Sequence, residues 1–311
     1  MLSRRTLVRT AVLAGAGLAV RPALRAQSAP ALIHPIQPDL DQVHDQGAWV
    51  CWIGHSTVLI NLFGTWILTD PVLFDNFGFR ILGVTVGPRR YIRPALTLEQ
   101  IPRPDIVLLS HAHIDHMDLR TLSAIAERFR NQVDVITATN TSDVINDMPW
   151  RNLNEMDWTD TATIHGCSVQ ALQVKHNGNR LPGEPCRSDG YRRTGRSYNG
   201  YILERNGIRI VFGGDTAYTT SFRDIKGDVD VAIMPIGAYQ GYHEDHCTPE
   251  ESLAMAEMMR ARHVVPVHHA TFNMSPEPRL EPIMRLRRAM KSSTTQLATQ
   301  GIGDVLRVDA T

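Results

Sequence analysis

The sequence has no surplus of charge of either sign, no apolar run long enough to cross a membrane and few cysteines. Its 311 residues carry 32 basic and 32 acidic side chains. That balance argues against nucleic acid as a partner, because duplex binding draws on a basic face that neutralises phosphates. The zero sum hides an asymmetry, since Arg4, Arg5, Arg9, Arg21 and Arg25 all precede the first acid, Asp39, and the rest of the chain is mildly acidic. The uncharged run Thr10 to Val20 falls well short of the roughly 20 residues that a spanning helix needs, so a permanent anchor is not expected. Cys51, Cys167, Cys186 and Cys247 form no C-x-x-C zinc or redox motif and read as structural thiols. In an oxidising compartment one or two disulfides would be open to them, with no pairing set by the sequence. Repeats and low-complexity tracts are absent, and an apolar content of 43% is that of a globular chain.

What is present begins with an address. Residues 1–28 combine Arg4-Arg5, the apolar run and small residues around Ala26, the three parts of an export signal. The pattern resembles a twin-arginine signal; a frayed basic tail is the competing reading. Residues 29–40, with Pro30, Pro35 and Pro38, read as a linker, and 41–311 as one folded domain. The protein is expected to be exported, periplasmic or otherwise extracytoplasmic.

From Trp49 the chain alternates short β-rich runs with polar loops and helical stretches. Val50 to Gly54, Thr57 to Phe63 and Thr65 to Thr69 read as strands. Asp105 to Leu109 is a continuous apolar run, hence a strand buried on both faces. Leu119, Leu122, Ile125, Ala126 and Phe129 recur at helical spacing, which predicts a helix over 118–130. Val133 to Thr137, Val169 to Val174, Val229 to Met234 and His263 to Val267 are further strands, and Asn206-Gly207 suits a hairpin turn between Tyr201 to Glu204 and Ile208 to Phe212. Thr248 caps a helix over 248–262, with Pro249 at its first position and Glu251 at its third. The mixture of hairpins and strand–helix alternation implies an α/β protein with two sheets and helices packed outside.

The chemistry sits in Ser110-His111-Ala112-His113-Ile114-Asp115-His116-Met117-Asp118, just after the buried strand. Three imidazoles and a carboxylate in six residues offer the nitrogen and oxygen ligands that Zn²⁺ takes. His176, Asp215 and His268 each end a predicted strand and complete a set of seven: His111, His113, Asp115, His116, His176, Asp215 and His268. Two divalent ions need about that many protein ligands when water supplies the rest. Gly213 and Gly214 allow backbone to crowd against a packed site.

The order H-x-H-x-D-H, then His, Asp and His, resembles the metallo-β-lactamase fold, which implies an αββα sandwich with a dinuclear site between two mixed sheets. Carried over by position, His111, His113 and His176 would hold one ion, Asp115, His116 and His268 the other, and Asp215 would bridge them. Over about residues 49–290 the chain is similar to the N-acyl-phosphatidylethanolamine-hydrolysing phospholipase D family, through Trp52-Ile53-Gly54-His55-Ser56-Thr57, Leu68-Thr69-Asp70-Pro71, Gly87-Pro88-Arg89-Arg90, Gly213-Gly214-Asp215-Thr216, Met234-Pro235-Ile236-Gly237-Ala238-Tyr239, His246-Cys247-Thr248-Pro249-Glu250-Glu251 and His268-His269-Ala270-Thr271-Phe272. The family commonly has His-Trp-Gly-Thr-Phe where His268 to Phe272 stands here. The resemblance implies a phosphodiesterase with two Zn²⁺ ions that acts on N-acylated phospholipids or related small molecules through a metal-bridging hydroxide, with transient contact to a membrane surface. A lactone or other carboxylic-ester hydrolase is the alternative enzyme, and a non-catalytic metal-binding module the alternative class.

Two catalytic roles follow. Asp115 would orient the attacking water, and His246 would contact the scissile group or protonate the leaving oxygen. His55 reads as a support that orients Asp70 or a ligand, and Asp70 as a similar support or simply the end of its strand, while His243 and His269 receive no role. Arg180, Arg187, Arg192, Arg193 and Arg196, in the loop 177–199, have forks suited to phosphate, with plain solvation on a long polar loop as the competing reading. Phe74, Phe77, Phe79, Ile81 and Leu82, in 72–86, suit an acyl groove, a membrane surface or packing under a sheet. The address is testable on its own: a reporter fused behind residues 1–40 should leave the cytoplasm, and Arg4→Lys with Arg5→Lys should retain it. Equal export by the doubly substituted fusion would contradict the twin-arginine reading.

Overall fold

Strands that run the same way bring their carboxyl ends to the same edge of a sheet, and this organises the molecule. The computed structural model describes residues 32–309 except Tyr191 and Gln300. Residues 1–28, read above as an export signal, lie outside the described residues. Of the segment 29–40, Ile33 bridges to Ile92, and Ile36 N–H donates to the Ile302 carbonyl (3.2 Å).

The first half of the domain supplies β1 (Gly47–Gly54), β2 (Thr57–Leu62), β3 (Thr65–Thr69), a separate hairpin β4 (Phe79–Ile81) and β5 (Val84–Val86), β6 (Ile106–Leu108), α1 (Leu119–Arg128), β7 (Asp134–Ala138) and β8 (Asn152–Met156). The second supplies β9 (Thr161–Ile164), β10 (Cys167–Leu172), β11 (Gly200–Arg205), β12 (Ile208–Phe212), β13 (Val229–Pro235), α2 (Pro249–Met258), β14 (Ala261–Val267), α3 (Glu281–Ala289), β15 (Gln296–Leu297) and β16 (Val305–Asp309). They form two seven-stranded mixed sheets, ordered β16-β1-β2-β3-β6-β7-β8 and β15-β14-β13-β12-β11-β10-β9.

In the first sheet β1 and β2, then β2 and β3, are antiparallel, and β3 and β6 are parallel. So β1, β3 and β6 point one way, and the same reasoning aligns β10, β12 and β14 in the second sheet. Their carboxyl ends deliver His55, Asp70, His111, His176, Asp215 and His268 respectively, each on the loop that follows. The core is mainly apolar, with Trp52, Tyr201, Phe212, Leu59 and Ile60 fully enclosed. Tyr201 ties the sheets together: its buried hydroxyl donates to the Leu109 carbonyl (2.9 Å) and accepts from Asn199 Nδ2 (3.2 Å).

The helices match expectation in kind and differ in extent. Asp118 caps α1 by accepting from Thr121 N–H (3.0 Å), and Leu122, Ile125 and Ala126 are buried, but Leu119 faces out. Helix α2 has the expected capping box of Thr248 and Glu251 with Pro249 inside, yet it ends at Met258 instead of 262. Arg260 takes a left-handed backbone (φ 52°), which breaks the helical turn, and β14 starts at the next residue. Asn206 and Gly207 both have positive φ, as a tight hairpin turn requires. All four cysteines are free and buried, so no disulfide forms among them.

Tyr201→Phe tests the cross-sheet link. It removes both hydrogen bonds of the buried hydroxyl and strands the Leu109 carbonyl, and denaturant unfolding should show a loss of about 1–2 kcal/mol. An unchanged midpoint would mean that the link contributes nothing.

Candidate metal centre

The turn after β6 is short and pinned from several directions. His116 and Met117 N–H groups both donate to the His113 carbonyl (3.1 and 2.8 Å), which closes the turn on itself. Asn199 N–H donates to the Ser110 carbonyl (2.9 Å), and Arg180 Nη1 donates to the carbonyls of Ala112 and Met117 (2.9 Å each). The loop of Asp215 comes in close because Gly214 is left-handed (φ 58°) and a Cβ there would lie 2.7 Å from Ser110 Cβ and 2.8 Å from the Asn199 carbonyl.

His111, His113 and His176 converge. Their facing nitrogens are 2.8 Å apart for His111 Nε2 and His113 Nδ1, and 3.2 Å from each of these to His176 Nε2. Tetrahedral zinc bonded to nitrogen at 2.0–2.1 Å would space its ligands by about 3.3 Å, so the three are set for one small cation. The outer nitrogens explain why. His113 Nε2 donates to Asn177 Oδ1 (2.8 Å), and His176 Nδ1 donates to the Asp245 carbonyl (2.8 Å). Ser110 Oγ donates to Asp70 Oδ2 (2.5 Å) and so accepts from His111 Nδ1 (2.9 Å). An amide oxygen, a carbonyl and a committed hydroxyl all fix the proton on the outer nitrogen and leave the inner one a lone pair.

The second group is His55, Asp115, His116 and His268, all buried. Asp115 Oδ2 lies 3.0 Å from His55 Nε2, 3.3 Å from His268 Nε2 and 3.4 Å from His116 Nε2. His116 Nδ1 donates outward to Asp70 Oδ2 (2.7 Å), again leaving Nε2 to face inward. Asp215 Oδ2 stands 3.0 Å from His116 Nε2 and 3.2 Å from His268 Nε2, while Asp215 also groups with His176 and His246. The buried Asp215 Oδ1 and His116 Nε2 have no hydrogen-bond partner among the described residues. Unpartnered lone pairs on an oxygen and nitrogen set are what a divalent cation would satisfy. Backbone strain gathers here too: His55, Asp70 and His268 all have positive φ (55°, 32° and 59°).

Burial drives His111 and His176 well below the usual imidazole range, reinforced by the neighbouring imidazoles. Burial would also keep His116 neutral, but Asp215, Asp115 and Asp70 outweigh it and hold its pKa well above normal. Burial opposes charge on Asp115 and Asp215 as well; their imidazole neighbours, led by His116, prevail and hold both well below the carboxylate range. Burial lowers His246 to about 4. Its Nδ1 stands 3.8 Å from Asp215 Oδ2, and its ring lies 5.2 Å from His176 and 5.3 Å from His268, at the border of both groups.

All seven residues named from the sequence therefore meet, with His246 beside them. Of the two partners open to His55, a ligand is the one found: it contacts Asp115, while Asp70 orients His116 and the Ser110–His111 pair. Asn177 and Ser110, adjacent in sequence to His176 and His111, were not singled out, although their position beside a ligand was the available signal. Among the loop arginines, Arg180 braces the histidine turn, Arg196 binds Asp143 and Glu184, and Arg187 covers Trp158 and pairs with Asp157, so these three are engaged within the protein. His243 is exposed and donates to Glu251 (2.8 Å), and His269 stacks on Trp52 (4.7 Å).

Residues 65–269 match the β-lactamase superfamily domain. The N-acyl-phosphatidylethanolamine-hydrolyzing phospholipase D 1 of Caenorhabditis elegans is 26% identical, over 88% of this chain and 79% of that protein. A metal-dependent hydrolase of Thermococcus kodakarensis is 27% identical, over 72% and 85%. The metallo-β-lactamase fold protein YhfI of Bacillus subtilis superposes with a TM-score of 0.60 at 15% identity, over 85% of this chain and all of that one. With two seven-stranded sheets and clustered histidines and aspartates at one edge, the chain belongs to the β-lactamase superfamily and is a metal-dependent hydrolase.

Proposed function

We propose that the protein is an exported zinc-dependent phosphodiesterase of phospholipase D type, with a binuclear centre and N-acylated phospholipids or related diesters as substrates. The observation that carries the metal part is the set of outward hydrogen bonds from His111, His113, His116 and His176, which turn the inner nitrogens of four imidazoles into one cavity. His111, His113 and His176 would hold one ion, Asp115, His116 and His268 the second, and Asp215, which lies against both groups, would join them. When bound, the two cations supply a water acidified towards neutral pH and positive charge facing the attacked group. The substrate part leans on the relative from C. elegans and on a cavity of about 980 Å³ beside His176, lined by Lys175, Asn179, Arg192 and Tyr198 among others.

The chain's own residues do the positioning. Asp115, held by His55, accepts a hydrogen bond from the attacking water and aims it. His246 contacts the scissile phosphoryl group; its lowered pKa makes it a neutral hydrogen-bond donor. Lys175 and Arg192 face the anionic end of the substrate from the cavity wall. Hydrolysis then forms a phosphorus–oxygen bond from water and breaks the one to the alcohol, which leaves with a proton.

Metal-loaded protein should contain two equivalents of zinc and hydrolyse a bis-aryl phosphodiester and N-acyl-phosphatidylethanolamine in preference to an acyl-homoserine lactone. Turnover of the lactone alone would overturn the substrate class, and fewer than about 1.5 equivalents after careful loading would overturn the binuclear centre. Asp215→Asn should abolish turnover; equal rates would remove the metal mechanism. Asp70→Asn, Asn177→Ala and Arg180→Met should each lower zinc affinity in a competition titration by about 10–100-fold, because they hold ligands or the turn that carries them. Unaltered affinity in all three would show that these contacts are incidental.

A further inference from the structure

The hairpin of β4 and β5 is apolar on residues that nothing in the described structure covers. Phe79, Ile81, Leu82, Val84 and Val86 are 46, 56, 99, 65 and 55% exposed, and Leu82 sits at the tip. An isolated two-stranded hairpin gains little from its own packing, and contiguous exposed apolar side chains of this kind mark a surface that meets something. The hairpin is held firmly at its root. Phe77 is buried, with its ring 4.9 Å from Phe272 and 6.3 Å from His55, and Asn76 Nδ2 donates to the Thr85 carbonyl (2.7 Å). Whatever the tip enters is therefore kept beside the residue that contacts Asp115.

Charge identifies the occupant. Between Phe74 and Arg93 there are four arginines, Arg80, Arg89, Arg90 and Arg93, against a single acid, Asp75. Asp75 acts on the buried Arg90, whose guanidinium donates to the Phe74 and Val72 carbonyls, whereas Arg80, Arg89 and Arg93 are exposed. Apolar side chains at the tip with cations behind them suit a lipid surface: the first enter the acyl boundary while the second meet phosphate headgroups. A second copy of the chain would bring its own arginines to the same place.

We propose that the β4–β5 hairpin is a wedge that docks the protein on a membrane surface bearing anionic headgroups. The choice of a lipid occupant rests on the phospholipid-substrate reading, so the test measures binding, without turnover. Full-length protein would be sedimented with vesicles of phosphatidylcholine plus phosphatidylglycerol, and with phosphatidylcholine alone. The wedge variant combines Leu82→Asn, Val84→Thr and Val86→Thr, since Asn accepts the left-handed backbone of Leu82 (φ 49°) and Thr keeps the strand. It should bind at least about tenfold more weakly to the anionic vesicles. Arg80→Gln and Arg89→Gln should each cost about fivefold there, and raised salt should erase that difference. Circular dichroism of each variant checks that it is folded, and binding decides the wedge even if every diester proves a poor substrate. The proposal is overturned if the parent fails to sediment with vesicles or the wedge variant binds as the parent does. It is equally overturned if sedimentation velocity shows a dimer that the wedge variant dissociates, because the hairpin would then be an interface between copies.

Discussion

Removing two carboxylates and a ring of imidazoles from water is expensive unless something compensates them, and this constraint shapes the end of the sandwich where the strands stop. Asp115 and Asp215 are buried at a depth where an unpaired carboxylate would shed its charge. In the bare protein His116 serves as the counterion, held charged by three carboxylates. The arrangement of protons around it points to other company. Four imidazoles give an N–H outward to an amide, a carbonyl, a hydroxyl or Asp70; the lone pairs that His111, His113 and His176 aim inward repel one another unless a cation lies between them, and a cation beside His116 would take the place of its inner proton. The outer bonds therefore matter as much as the ligands, since they decide which face each imidazole presents.

Topology places these groups without long-range tethers. Strands β1, β3, β6, β10, β12 and β14 all deliver their carboxyl ends to one edge, so six loops scattered along the chain need only a few residues each to reach a shared cavity. Those loops are tight enough to force His55, Asp70 and His268 into left-handed backbone, a strain the surrounding sheets can hold. Arg180 adds a brace from outside the sheets, linking the loop after His176 to the carbonyls of the histidine turn.

The histidine turn was readable in the sequence because three imidazoles and a carboxylate in six residues have little other use, and the strand-end positions of His176, Asp215 and His268 supplied the rest. Helix starts were readable too, since Thr248, Pro249 and Glu251 act locally. The end of α2 was not, because a left-handed Arg260 carries no composition signal. The partner of His55 was also out of reach: its contact with Asp115 spans 60 residues and depends on how two loops face each other. The roles of Arg180, Arg187 and Arg196 were hidden for a similar reason, because an arginine that braces the protein and one that binds phosphate have the same side chain. The short strands β8, β9, β15 and β16 have weak patterns and form because a neighbour offers an edge.

The claim beneath all of this is that the inward lone pairs belong to two cations. Anomalous scattering at the zinc edge from crystals of the zinc-loaded protein tests it most directly. The account predicts two peaks, one within bonding distance of His111, His113 and His176, the other of Asp115, His116 and His268, with Asp215 touching both. A single peak, or density bound elsewhere on the chain, would contradict it.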